Sequence, residues 1–587
     1  MNSLDTTIVA SFLIITLGIG FYFSRRGSKN MEGYFNAGKS LPWWVIGMAS
    51  VATYSSAGTG AAFTMLVYNG GIMGNWWWWL PWVIMMPLVA IIWAKLWRRL
   101  GIATAAEVIQ IRYSGRVSKI FRSFYALFFA SLYATISLGY GTGWLFRTLG
   151  PILGWSNLEI MMVAGIVVLI YTVLSGLYGV VYNDVVQFMV FLIGNLIFIP
   201  IVIKACGGWE HIVTQATQLR GAEFFKPLPP GGDLTRITIF ALVLQGLFFA
   251  QSPSGGEGHM AQRFLSAKSE VHAVVGQLLN GFLSLALRAL PFIVLGIVAA
   301  SLFPLDSIAP GEIWGQMVKG YAVPGILGLL VAAELSAYMS TVSAQMNWGA
   351  SYFVNDIYRS VIKKNASDRH YIWVSRILSF LILVFGFCIA YFEVGEMMEW
   401  FLFINSVVLA FVLPICWLRF FWHRMNIYGE VVAILGGIPL GYLVWFPLGF
   451  SQRPFWQGFL LLFALGWVVI VGTVLLTRPE KTEVLQNFYK RCKPPGLWGP
   501  VTDCLSPEER RLIRKNTMTD ILNSIIGIFL FGSLVTSINA FFASNWILLT
   551  SAIAILIVTG YLLVQRLSRD KVFSSLGNKP LISGPTE

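Results

Sequence analysis

The chain has 587 residues, of which 56% are hydrophobic and only 12% are Asp, Glu, Lys or Arg. Soluble domains carry about a quarter charged residues. This balance, with a mean hydropathy of +0.70, excludes a cytosolic enzyme and a disordered chain and fits a protein that uses lipid as its solvent. Lys plus Arg is 41 against 27 Asp plus Glu, a formal charge of +14, but the basic residues sit in short loops beside apolar runs, which is a topology signal and not a nucleic-acid surface.

The first apolar run, 7–24, has no basic segment before it and is followed by Arg25 and Arg26. That is a signal-anchor pattern with the N-terminus outside. An all-α polytopic membrane protein is expected, with about fifteen transmembrane helices of roughly 20 residues each. The remaining spans fall near 42–70, 76–97, 120–148, 157–175, 182–204, 237–253, 271–302, 324–357, 371–393, 397–419, 430–448, 455–477, 518–541 and 545–565. Loops rich in Lys and Arg, such as those from Lys95 to Lys119, Arg359 to Arg369, Arg419 to Arg424 and Arg478 to Lys515, are expected inside. The poorer loops 69–75, 205–236 and 301–318 are expected outside, which leaves the C-terminus in the cytoplasm. The five cysteines, Cys206, Cys388, Cys416, Cys492 and Cys504, match no zinc or disulfide spacing.

Two small-residue breaks interrupt the spans. Gly47 to Gly60 is rich in Gly, Ser and Thr. It reads either as a close-packing face or as an unwound helix whose free carbonyls bind an ion, because unpaired backbone at that depth must be satisfied by protein, ion or water. Gln251 to Gly258, with Pro253 and three glycines, breaks the seventh span. These breaks open two blocks of five spans, 42–204 and 237–419. Five is odd, so consecutive blocks enter the membrane in opposite directions. That is the outline of an inverted repeat with solute bound between two broken leading helices, as in secondary transporters. Around this core lie an N-terminal signal-anchor helix and cytoplasmic loop (1–41), additional helices (420–477), a proline-rich cytoplasmic linker with one short helix (478–517), two extra helices (518–565) and a cytoplasmic tail (566–587).

Several stretches resemble the sodium:solute symporter family. Pro42-Trp43-Trp44 through Thr59 is similar to its first core helix. Thr104-Ala105-Ala106-Glu107 with Arg112-Tyr113 is similar to its "T-x-x-E-x-x-x-x-R-Y" loop. Ser175-Gly176-Leu177-Tyr178 through Asp184 and Gln187, Gln262-Arg263 with Ala267-Lys268-Ser269, Asn355-Asp356-Ile357-Tyr358, and Trp422, Arg424, Asn426 and Gly429 follow in the family's order over roughly residues 8–477. The resemblance implies the ten-helix inverted-repeat core of the leucine-transporter type, with Na+ as the coupling ion. It also implies a central sodium site of backbone carbonyls from Ala52, Ser55 and Ala337 with hydroxyls from Ser340 and Thr341. Oxygen dipoles suit a hard cation, while hydroxyls bonded to their own helix turn are the plainer reading. Asp184 matches an aspartate at or near a second sodium site in some members; a carboxylate anchoring a helix N-terminus is the alternative.

For the solute, the residues of interest are Tyr54 and Thr59, where sugar-carrying relatives have Asn and Gln, together with Glu257 and Arg288. Gly58 replaces a glutamate of those relatives. Arg288, Glu257 and Glu334 form either a structural ion network, a substrate site in which Arg288 grips a carboxylate, or, through Glu334, a proton-coupling device. Arg288 is expected to face inward and to pair with Glu334 or Glu257, because a lone charge at the bilayer centre costs about 2.5–3.5 kcal/mol. The run Trp76 to Trp79 and Trp82 reads as an interfacial belt, with stacking on a sugar ring as the alternative. The expected protein is a monomeric, plasma-membrane (inner-membrane) symporter that imports a small polar organic solute, a sugar or else an organic anion or amino acid. A transporter-like solute sensor is a further alternative. No catalytic or phosphate-binding motif is present, and no nucleic-acid partner is expected.

Overall fold

The computed structural model describes residues 1–252, 257–305, 307–308, 310–392, 403 and 407–569. Among these residues there is no β-strand; two isolated bridges, Leu41 with Ala267 and Trp422 with Leu497, are the only extended pairings. Lipid leaves the backbone no other hydrogen-bonding partner, so each span satisfies its own N–H and C=O groups by coiling.

The chain begins with α1 (Ser3–Gly27), followed by the split pair α2 (Trp43–Tyr54) and α3 (Thr59–Gly70). Next come α4 (Ile72–Leu100), α5 (Gly115–Leu153) and α6 (Asn157–Ala205). A second split pair follows, α7 (Asp233–Phe249) and α8 (Gly258–Leu265). The core closes with α9 (Glu270–Leu302), α10 (Ile326–Ile362), α11 (Asp368–Phe392) and α12 (Ala410–Phe421). Beyond it lie α13 (Ile427–Trp445), α14 (Trp456–Leu476), the short α15 (Thr482–Cys492), α16 (Pro507–Phe542) and α17 (Trp546–Arg569). Eleven helices among the described residues are long and apolar enough to cross a bilayer, and the shorter apolar segments 235–249 and 410–421 lie beside them.

The expected spans do not map one to one onto these helices. The segments 157–175 and 182–204 form the single helical run α6, turned sharply at Gly176 (φ 55°, ψ −149°). There the chain presses against the Tyr34 carbonyl, 2.5 Å from where a Cβ would sit, so both the positive φ and the close approach call for glycine. In the linker the short helix is α15, whereas Glu508 to Arg514 belong to the first turns of α16, which starts with a reciprocal cap between Ser506 and Glu509. The expected span 397–419 is described only at 403 and from 407 onward, and the end of the tail, 570–587, lies outside the described residues, as do 253–256 in the second break. All five cysteines are free thiols.

Packing places the split helix at the centre. The first half of α9 lies along α2 and its second half along α3, so one helix supports both sides of the break. α10 packs on α6, α5, α1 and α2, while the C-terminal pair α16 and α17 leans on α4 from outside the core. We expect Gly176→Ala to lower the yield of folded protein and its thermal unfolding temperature in detergent. Gly18→Ala, on an exposed turn of α1 with no atom within 4 Å of the new methyl, should be neutral in the same assay.

Candidate ion and solute site at a broken helix

α2 ends at Tyr54, and Ser55 leaves the helical region (φ −89°, ψ 82°). A helix end exposes its last four carbonyls, and here that end is buried: Ala52, Thr53 and Ser55 are at most 5% exposed. Each stranded carbonyl finds a donor. Val51 accepts from the Ser55 amide (3.1 Å) and hydroxyl (2.8 Å). Ala52 accepts from the Ser55 amide (2.9 Å) and the Ser340 hydroxyl (2.8 Å). Thr53 accepts from the Thr341 hydroxyl (3.0 Å), and Tyr54 from Arg288 Nη1 (2.7 Å). Leaving one such group unpaired would cost about 1–3 kcal/mol. The chain restarts as α3 after Gly58, where a Cβ would lie 2.6 Å from the Trp144 ring of α5.

The α10 side of the site follows from helical spacing. Ala337, Ser340 and Thr341 are at i, i+3 and i+4, one face of one helix. The Ala337 carbonyl lies 3.1 Å from the Ser340 hydroxyl and 3.2 Å from that of Thr341. Thus Ala52, Ser55, Ala337, Ser340 and Thr341 converge on the break. Each hydroxyl bonds back to its own helix, as in the plainer reading, and also reaches across to a carbonyl of α2. The cluster contains carbonyl and hydroxyl oxygens and no carboxylate, a donor set that fits a monovalent hard cation.

Asp184 is fully buried and pairs with Arg263 at 3.1 Å. It lies well inside α6, past the turn at Gly176, so the helix-N-terminus reading is corrected. Arg263 also donates to the Thr53 hydroxyl and to the His259 carbonyl (3.2 Å). It therefore ties α6 and α8 to α2 one turn from the break, a role that sequence reading missed because it registered Arg263 only as part of a motif. Neighbouring Gln262 donates to the Phe35 carbonyl and to Asn347, both at 2.8 Å.

The expected partnership of Arg288 is overturned. Arg288 is 1% exposed and faces inward, but neither Glu334 nor Glu257 pairs with it. Its guanidinium sits about 5 Å from the ring centres of Phe63 (5.3 Å), Trp78 (5.0 Å) and Trp82 (5.2 Å). Desolvated cation–π contacts of this kind contribute about 2 kcal/mol or more, and with the Tyr54 carbonyl they offset burial without an acid. The position is set by backbone: the Arg288 amide reaches back five residues to the Leu283 carbonyl (2.9 Å), a wide turn that precedes Pro291, whose ring cannot continue a normal ladder. The Nε and Nη2 groups of Arg288 have no hydrogen-bond partner among the described residues. The tryptophan run is corrected accordingly. Trp78 and Trp82 cage the arginine, Trp79 is fully buried, and Trp76 donates to the Pro227 carbonyl, so these four are engaged by protein groups. Tyr54 packs edge-on against Trp82, and Thr59 is buried at the start of α3, 3.5 Å from the Ser56 hydroxyl.

Glu257 belongs to a different cluster. It accepts from the Tyr125 hydroxyl and lies 3.3 Å from Arg419, which in turn grips Glu430 through two 2.7 Å bonds. Tyr113 donates to Glu430 (2.6 Å), and Arg112 caps the carbonyls of Arg419, Trp422 and Met425. Arg419, read from the sequence as a loop charge, is thus fully buried. Glu334 is buried on α10 with Oε1 unpartnered among the described residues.

A leading helix split at Ser55, with its released carbonyls met by α9 and α10, belongs to a membrane protein of the leucine-transporter fold. A Na+-coupled sialic acid symporter solved in a substrate-bound outward-open state superposes with a TM-score of 0.70 at 21% identity, covering 82% of this chain and 99% of that one. The profile of the sodium:solute symporter family matches residues 34–437, and the chain belongs to that family, with sodium as its coupling ion. Among curated relatives, the sodium/glucose cotransporter of Vibrio parahaemolyticus is 25% identical over 510 residues, 81% of this chain and 91% of that protein. The human sodium/myo-inositol cotransporter is 24% identical over 603 residues, 90% and 81% of the two chains. Arg419→Leu should strand two buried carboxylates and cost about 3–5 kcal/mol, read as loss of monodisperse protein. Glu257→Gln, which keeps the shape and removes one charge, should retain the fold.

Proposed function

We propose that the protein takes up a small, hydroxyl-rich organic solute, of the sugar or polyol class, together with sodium by alternating access across the plasma membrane. Sodium is held by the carbonyls of Ala52, Ser55 and Ala337 and the hydroxyls of Ser340 and Thr341. The observation that carries this reading is the convergence of α10 hydroxyls on carbonyls released at the break in α2. In the arrangement described, hydroxyl protons supply the positive charge between those carbonyls. A sodium ion does the same job more strongly and draws α2 and α10 together, so ion binding favours one conformer of the carrier. Asp184 is neutralised by Arg263, which reaches the Thr53 hydroxyl beside this site.

Two features support the solute class. Arg288 keeps two N–H groups available beside the break, within aromatic faces of the kind that stack on sugar rings, and the curated relatives named above carry glucose and myo-inositol. The same guanidinium, with no acid neutralising it, favours a second reading: an organic anion held through its carboxylate. Competition of labelled-solute uptake by sugars, polyols and carboxylates separates the two. Tyr54 and Thr59 flank the break and are assigned to the solute side.

Ser340→Ala and Thr341→Ala should each raise the sodium concentration for half-maximal uptake by about tenfold, one lost oxygen ligand being taken at about 1.5 kcal/mol, as for a polar contact to a charge, with the protein still folded. Arg288→Met should leave sodium-dependent thermal stabilisation intact and abolish uptake. Wild-type sodium dependence in both α10 variants would overturn the ion assignment. We further propose that the N-terminus lies outside and the basic linker inside. A cysteine introduced at Lys481 should then react with a membrane-impermeant thiol reagent only after cells are permeabilised, and labelling of intact cells would reverse the topology.

A further inference from the structure

Away from the break, a cavity of about 700 Å3 opens where the end of α4, the start of α9, α15, the first turns of α16 and the end of α17 meet. Eight of its lining side chains are Lys or Arg and two are acidic. Both acids are already engaged: Asp520 pairs with the deeply buried Lys95 at 2.7 Å, and Glu270 with Arg99 at 3.0 Å. Arg566 donates to Asn523 (2.6 Å). Lys490, Arg491, Lys493 and Lys515 have no ion pair among the described residues, although all four line the cavity. The result is a concave site with a surplus of positive charge, in which the linker and the C-terminal pair, beyond the region matched by the family profile, close against α4 and α9.

Apolar side chains share the lining. Ile92, Leu96, Ile513 and Ile521 line the cavity, and an apolar strip continues along α16 as the exposed Met518 (61%), Leu522 (42%) and Ile525 (44%). α16 runs on from here as a membrane-crossing helix, so this strip leads from the charged pocket into the hydrocarbon. A soluble anion has no use for such a strip, whereas a lipid places its phosphate among the cations and its chains along the isoleucines. Basic pockets between helices at the headgroup level are where acidic lipids are held.

We propose that this cavity binds the phosphate headgroup of an anionic membrane lipid and that the lipid joins the C-terminal helix pair to the transport core. Its phosphate sits against Lys490, Arg491, Lys493 and Lys515, and its acyl chains follow α16. The site lies on the membrane face proposed above to be cytoplasmic, but its test does not depend on that orientation or on the solute.

Full-length protein is purified in detergent, equilibrated with phosphatidylglycerol or phosphatidylcholine, and the retained lipid counted by native mass spectrometry. Each basic side chain near an acidic lipid contributes roughly fivefold in affinity. Wild type should retain phosphatidylglycerol at least about tenfold over phosphatidylcholine, and the variant K490Q/R491Q/K493Q should lose that preference. All three side chains are exposed, so the variant should fold. K363Q/K364Q/R369Q, the same charge loss at exposed positions of another basic loop, should keep it, and inorganic phosphate or glycerol 3-phosphate should not displace the lipid. Equal retention of both lipids, equal behaviour of the two triple variants, or displacement by inorganic phosphate at a concentration matching the lipid would overturn the proposal, the last by making this a soluble-anion site.

Discussion

A helix that stops in the middle of a membrane protein leaves four carbonyl oxygens with nothing of their own to bond, and this fold is organised around the four at the end of α2. Val51 to Tyr54 are met in turn by Ser55, Ser340, Thr341 and Arg288. Three of these donors come from α9 and α10 and the fourth from the chain just past the break, so the unsatisfied end ties α9 and α10 to α2. The Ala52 carbonyl and the Ser340 and Thr341 hydroxyls also belong to the proposed cation site. In that proposal structural need and ion binding meet in one place: whatever supplies positive charge there also sets the spacing of α2 and α10. Gly58 against Trp144 and the wide turn before Arg288 shape the surrounding backbone so that this meeting can occur.

Charge is buried in three separate ways around that centre, and each has its own compensation. Asp184 and Arg263 are a direct pair that also reaches Thr53. Arg419 holds Glu430 and Glu257 together in a group that locks α12, α13 and the start of α8, with Tyr113, Tyr125 and the capping Arg112 completing it. Arg288 has no acid and relies on aromatic faces and one carbonyl. A buried ion pair contributes little net stability yet is costly to break, so the first two clusters act as registration devices for the helices they join. The third leaves hydrogen-bonding capacity at the break, which is the reason Arg288 and not Glu257 is assigned to the solute side in the proposed function.

The motif residues that mark the family in the sequence turn out to be largely clamps. Thr104 bonds Asp356 at 2.7 Å and Arg122 pairs with the same carboxylate at 2.6 Å, which fastens the loop after α4 to the end of α10. Arg112 and Tyr113 serve the Arg419 cluster. Such residues are readable as a pattern because their spacing along the chain is short and regular. Their partners are 252 to 317 residues away, which is why the pattern does not disclose what each one holds.

The sequence by itself determined that the chain lives in a bilayer, that it is helical and where its first core helix breaks, and the resemblance to the sodium:solute symporter family pointed to the facing oxygen-bearing residues of α2 and α10. The first three follow from local properties: apolar length against bilayer thickness and the helix-breaking effect of glycine-rich runs. Only the tertiary structure decided the partners of the charges. Opposite charges in a hydrocarbon environment were expected to find each other, so Arg288 was matched with Glu334 or Glu257, Arg419 was read as a loop charge, and the tryptophans of α4 were assigned to the interface. The choice between an acid and an aromatic cage depends on which helix faces lie within about 5 Å after packing. That is a property of how α4 and α9 are rotated against each other, and neither composition nor periodicity along one strand of sequence encodes it.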